Sequence, residues 1–273
     1  MKNNYKFLLL VPVLMLVVLF SCRKPATKTA AQKALFGLHL HTNVDTNQFA
    51  PSVNPGEYNQ EFQDANGRWV NITNASIYLT NIGLHSTTTG QWYTIPGSVL
   101  LKRLENEEYS IDSVPTDTYD NVRFTVGLNP TLNGAAPSSY STTTGPDTVL
   151  SNNETALYAG AGNGYYFLTL TGNIDTSAAH NLNHPIPFSY RLAGDTFQVS
   201  PPSASSGNTF SIIPGVPGAQ FVHIIIDYGK LLQSFPITAP VNIRNTSPAS
   251  PSPVWNGIQG IFFYECSTPN GDC

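Results

Sequence analysis

The 273-residue chain carries 13 Lys and Arg against 17 Asp and Glu, and charged residues make up only 11% of it. Six of those cations fall in the first 33 residues beside no acid, so from Ala34 onward seven cations face 17 acids, a net of −10. Such a body repels nucleic acid, whose binding needs clustered cations. Thr, Ser and Asn are abundant beside 21 Gly and 21 Pro, which points to many short strands joined by turns and facing an extracytoplasmic solvent.

Met1 to Lys6 carries two lysines, and Phe7 to Phe20 is an apolar run of 14 residues broken only by Pro12. A spanning helix needs roughly 20 apolar residues, so the run suits the core of a secretory signal. It ends in Leu19-Phe20-Ser21-Cys22, a small residue directly before a cysteine, which resembles the lipobox of bacterial lipoproteins. Cleavage there exposes Cys22 for lipid attachment; a plain signal peptide or an uncleaved anchor is the competing reading. Residues 1–21 are thus expected to be a lipoprotein signal peptide and 22–33 a flexible, basic tether. Residues 34–273 form the exported domain. The tether lacks the acidic run of some surface-exported lipoproteins, which favours the periplasmic side of the bacterial envelope.

Within the domain, period-two alternation recurs and no long stretch shows a helical stripe. In Phe36-Gly-Leu38-His39-Leu40-His41 the leucines face one way and the histidines the other. Asp64-Ala-Asn66-Gly67 signals a hairpin. Ser76 to Leu84 reads as a strand buried on both sides, with Asn81 satisfying backbone groups inside it. Tyr119 to Leu128 places Val122, Phe124, Val126 and Leu128 on one face. Pro137 to Gly145 reads as a flexible surface loop. Tyr165 to Thr171, Phe188 to Leu192 and Phe221 to Tyr228 are further strands, and Asp227 is expected to cap a short helical turn. The architecture expected is an all-β antiparallel sandwich.

The segments Asp64 to Thr73, Tyr78 to Leu84, Tyr119 to Asn129, Gly164 to Gly172, Phe188 to Gly194 and Ile224 to Leu231 together resemble the MbnP-like family of methanobactin-associated envelope proteins. The resemblance implies a β-sandwich, an envelope location and, in some members, copper binding. In those members one tryptophan of a tryptophan-rich segment before the glycine-tyrosine strand can be oxidised by a partner dihaem protein to help build the copper site. Here that segment, Asn153 to Gly164, has no tryptophan, and Arg191 stands where a histidine is expected in the Phe188-Ser-Tyr190 strand.

His39 and His41, at i and i+2 of a strand, project from one face and can converge on copper or zinc. A histidine in the corresponding strand of the copper-binding relatives is implied to be a ligand. Two polar residues on the wet face of an edge strand are the competing reading. His180 and His184 read as a surface pair, because Pro185 and the Asn-rich context disfavour a helix. His85 and His223 read as structural residues that the fold can still bring near His39. Cys266 and Cys273 are expected to close a terminal disulfide, or else to be two thiolates of a metal site.

No nucleophile elbow, phosphate loop, Cys-x-x-Cys or His-Glu-x-x-His occurs, so the chain is not expected to be an enzyme. The acid pair Glu107-Glu108 is the residual argument for a hydrolase. The leading expectation is a lipid-anchored binding protein for copper or another metal, with a possible envelope protein as partner. The second is a non-catalytic adhesion or assembly module that holds a protein or glycan.

Overall fold

The computed structural model describes residues 32–44, 47–49, 61–175, 177, 186–193, 197–199, 209–234, 237, 241–245, 257–258 and 260–268. The signal segment, Cys22, nearly all of the tether, His180, His184, Cys273 and the side chain of Cys266 lie outside them, and so does the expected disulfide.

The strands follow in chain order as β1 (Lys33–Val44), β2 (Asn47–Phe49), β3 (Phe62–Gln63), β4 (Trp69–Ser86), β5 (Trp92–Thr94) and β6 (Val99–Arg103). Next come β7 (Glu108–Pro115), β8 (Asp117–Val126), β9 (Tyr158–Gly160), β10 (Gly164–Ile174) and β11 (Ile186–Ala193). β12 (Phe197–Val199), β13 (Phe210–Ile212), β14 (Gln220–Asp227), β15 (Val241–Asn245) and β16 (Phe262–Thr268) complete the set. Short helices α1 (Pro130–Gly134) and α2 (Tyr228–Gln233) follow β8 and β14.

Two sheets pack face to face. The smaller runs β16-β14-β1, with β2 and β7 sharing the other edge of β1. The larger runs β12-β8-β4-β10-β11-β15, with short strands on its margins. Most pairs are antiparallel, as expected, but β1 pairs β14 in parallel and so does β11 with β15. The β1–β14 register sets His39 opposite His223 and Asn43 opposite Asp227.

Alternation decides which face each strand buries. Phe36, Leu38 and Leu40 of β1 and Val222, Ile224 and Ile226 of β14 are fully buried and meet Leu79, Val122, Phe124 and Leu168 from the large sheet. Burial of one such side chain stabilises by about 1.5–3 kcal/mol, so these rows orient the sheet strongly. The Phe124 and Phe262 rings meet edge to face across the sandwich at 5.2 Å. With even positions of β1 committed to this core, odd positions must face outward.

The centre of β4 is buried on both sides, as its apolar run predicts. Tyr78 on its outer side packs with Leu101, Leu128, Leu150, Leu157 and Tyr165 in a second cluster. The segment after α1 covers that cluster: the Tyr78 hydroxyl donates to Val149 O at 2.8 Å and the Tyr165 hydroxyl to Leu150 O at 2.7 Å. Pro137 is buried within it, while residues 141–146 are exposed.

Asn81 departs from expectation. It is exposed with φ of 53°, at a break in the β4–β8 register between Thr80 and Gly83. Asn tolerates this left-handed conformation better than most side chains, so it serves a bulge rather than a buried backbone group. The hairpin at Asp64 forms as read, with Gly67 N–H donating to Asp64 O and Gly67 at φ of 73°. Asp64 is buried there and accepts the Arg68 guanidinium at 2.6 Å and Ile237 N–H at 3.3 Å. Asp227 caps α2 by accepting Lys230 N–H at 3.0 Å.

Candidate metal centre

The outer face of the small sheet gathers the histidines. His39 and His41, two residues apart on β1, lean together with ring centroids 4.2 Å apart. The parallel pairing brings His223 beside them, its ring 4.5 Å from His39 and 5.3 Å from His41. The Nε2 of His41 lies 3.1 Å from Nδ1 of His223. One ring nitrogen from each of the three falls within 4.8 Å of the others, close enough to hold one metal ion. The side chains of His39 and His41 are 13% and 12% exposed, and His223 is buried, so the cluster is sheltered without being sealed.

Two carboxylates border the imidazoles. Glu107 precedes β7, and its backbone carbonyl accepts Leu40 N–H at 2.8 Å, which ties the turn to β1. Its Oε2 lies 3.4 Å from His39 Nε2 and 3.5 Å from His41 Nδ1. Burial pushes the Glu107 carboxyl up, but hydrogen bonds from His41 and His39 outweigh it and hold the group below its usual value. Glu107 is therefore an anion at neutral pH. Glu265 stands farther out, 35% exposed, with Oε2 at 3.3 Å from His41 Nε2.

The turn that carries Glu107 rests on a buried cation. Lys102 is fully buried and its Nζ donates to Arg103 O at 2.6 Å and Asn106 O at 2.5 Å. Burial drives its pKa down to about 7, against the pull of Glu107 and Glu105.

A late transition-metal ion fits this donor set. Neutral imidazoles suit copper and zinc, and a carboxylate supplies compensating charge. His39 Nδ1 and Glu107 Oε1 are buried atoms with no hydrogen-bond partner among the described residues. Buried polar atoms are rarely left so, and a bound ion is one reason for such an exception.

The sequence search over protein families places residues 33–252 within the MbnP model. The chain belongs to the MbnP family. Among solved structures, MbnP from Methylosinus trichosporium superposes with a TM-score of 0.53 at 11% identity, over 85% of this chain and 98% of that one. At that identity the likeness shows the shared fold alone. No curated protein matches the sequence.

Of the residues singled out from sequence, His39 and His41 are brought together as expected. His223, read as structural, joins them. His85 stays apart: its Nδ1 lies 2.6 Å from Asp120 Oδ1 and its ring 5.2 Å from Trp92, where Arg123 also packs at 4.1 Å. The acids of the Glu107-Glu108 pair part company, since Glu108 is exposed while Glu107 faces the histidines. The sequence signal for His223 was its parity: Val222, Ile224 and Ile226 claim the core, leaving His223 on the outer face as His39 and His41 are.

Proposed function

We propose that this MbnP-family chain is a lipid-anchored protein of the bacterial envelope that binds copper through His39, His41 and His223 and catalyses no reaction. The observation that carries this reading is the convergence of three imidazoles from two strands within 4.8 Å. Copper is the first candidate because it heads the affinity order of divalent first-row ions at nitrogen and oxygen sites. The lipobox-like Leu19-Phe20-Ser21-Cys22 supports the anchor.

The tryptophan-containing segment of copper-binding relatives is replaced here by Asn153 to Gly164, so the site is built from the sheet's own imidazoles. The adhesive reading has less support: Leu35 and Ile213 are the large apolar side chains exposed among the described residues, and they form no described patch.

Equilibrium dialysis with metal analysis tests the proposal. One copper per chain is expected, with affinity falling by about a hundredfold or more in each of His39→Ala, His41→Ala and His223→Ala. Unchanged binding in His223→Ala would remove the two-strand site.

A further inference from the structure

We infer that Glu107 is a fourth, anionic ligand that makes the site take copper as Cu(II) rather than Cu(I). This deepens the metal-binding reading and rests on it. The argument begins with charge. Three neutral imidazoles offer a site no charge of its own, and such a set serves either oxidation state. Glu107 adds a hard oxygen donor, its Oε2 set against both His39 and His41, and hard oxygen donors favour the divalent ion over the soft monovalent one.

The carboxylate is also held in place. Leu40 N–H grips its backbone carbonyl, and Lys102 Nζ bonds the carbonyls on either side of the turn, Arg103 O and Asn106 O. These contacts set Oε2 at 3.4 Å and 3.5 Å from two imidazole nitrogens and leave Oε1 buried without a hydrogen-bond partner among the described residues. Lys102 attracts the carboxylate through space, yet its Nζ hydrogen bonds go to carbonyls and none reaches Glu107 among the described residues. The negative charge therefore faces the histidines, where an incoming cation meets it. Glu265, 3.3 Å from His41 Nε2, adds a second negative charge at the rim.

No thioether competes for Cu(I), because the two methionines of the sequence, Met1 and Met15, both precede Cys22. The expected Cys266–Cys273 disulfide would withdraw the domain's two thiols.

The test compares both oxidation states on the purified full-length chain. Cu(II) is titrated in competition with glycine, and Cu(I) in competition with bicinchoninate under anaerobic reductant. Glu107→Gln, which keeps the shape and removes the charge, is expected to lose about a hundredfold in Cu(II) affinity and less than tenfold in Cu(I) affinity. Its Cu(II) electron paramagnetic resonance signal should shift, and Glu107→Asp should recover part of the loss. Circular dichroism melts confirm that each variant is folded.

Equal losses for both ions, or no loss for either, would overturn the inference while leaving the metal site standing. A parent chain that binds Cu(I) but not Cu(II) would also overturn it. A parent that binds neither would remove the inference together with the reading beneath it.

Discussion

Lys102 allows the packing behind the site to be tested through pH. Its side chain is fully buried on β6, and burial lowers its pKa from 10.5 to about 7. Between those two values the unfolded chain binds a proton that the folded chain releases, so stability must rise with pH across that window. The limiting slope is about 1.4 kcal/mol per pH unit, or about 2.5 kcal/mol between pH 7.5 and 9.5. Carbonyl bonds to the ammonium from Arg103 and Asn106 favour the charged form, which reduces the expected gain to about 1–2 kcal/mol. The window must close before pH 10, because burial raises the pKa of Tyr78, Tyr165, Tyr190 and Tyr228 above their unfolded value of 10. Above that pH the unfolded tyrosines ionise first and stability falls. Urea denaturation at half-unit steps from pH 7 to 9.5 measures the slope. Lys102→Met, which fills the same space without a titrating group, should flatten it. Parallel slopes in the variant and the parent would refute the argument.

Asp64→Asn should destabilise by about 2 kcal/mol, because it takes the anion from a part-buried pair in which the Arg68 side chain is still 22% exposed to water. Despite the opposing effect of burial, hydrogen bonds from Arg68 and Asn66 hold the Asp64 carboxyl below 3.8. Its contribution is therefore present above that value and lost as pH falls through the lower folded one, so acid unfolding should be shallower in the variant. Gly172→Ala should cost about 3 kcal/mol or more, seen as a lowered Tm. A Cβ there would run into Asn71 O and lie 2.7 Å from Cζ of Phe188.

What could be read in advance divides by sequence distance. The outward aim of His39 and His41 follows from Leu38 and Leu40 between and before them, a local period of two. The cap at Asp227 and the hairpin at Asp64 are equally local, since turn chemistry sits within a few residues. His223 joins the cluster through a parallel pairing of β1 with β14, and its contact with His41 spans 182 positions. No local pattern specifies that pairing, because a parallel partner is reached only through a long crossover. Glu107 was hidden for a related reason. Its neighbour Glu108 gave it the look of a charged turn, and only the Leu40 contact turns it to the histidines. Asn81 was misread because a bulge interrupts the strand that its apolar neighbours announce. The family resemblance correctly gave the sandwich, while the missing tryptophan and Arg191 left the ligand set to be found in the fold.

The most direct measurement is X-ray absorption spectroscopy on the full-length chain loaded with one equivalent of Cu(II). Multiple scattering from imidazole rings should be fitted by three histidines plus an oxygen ligand, and by two histidines in His223→Ala. A spectrum without imidazole scattering, or a chain that retains no stoichiometric copper, would contradict the account.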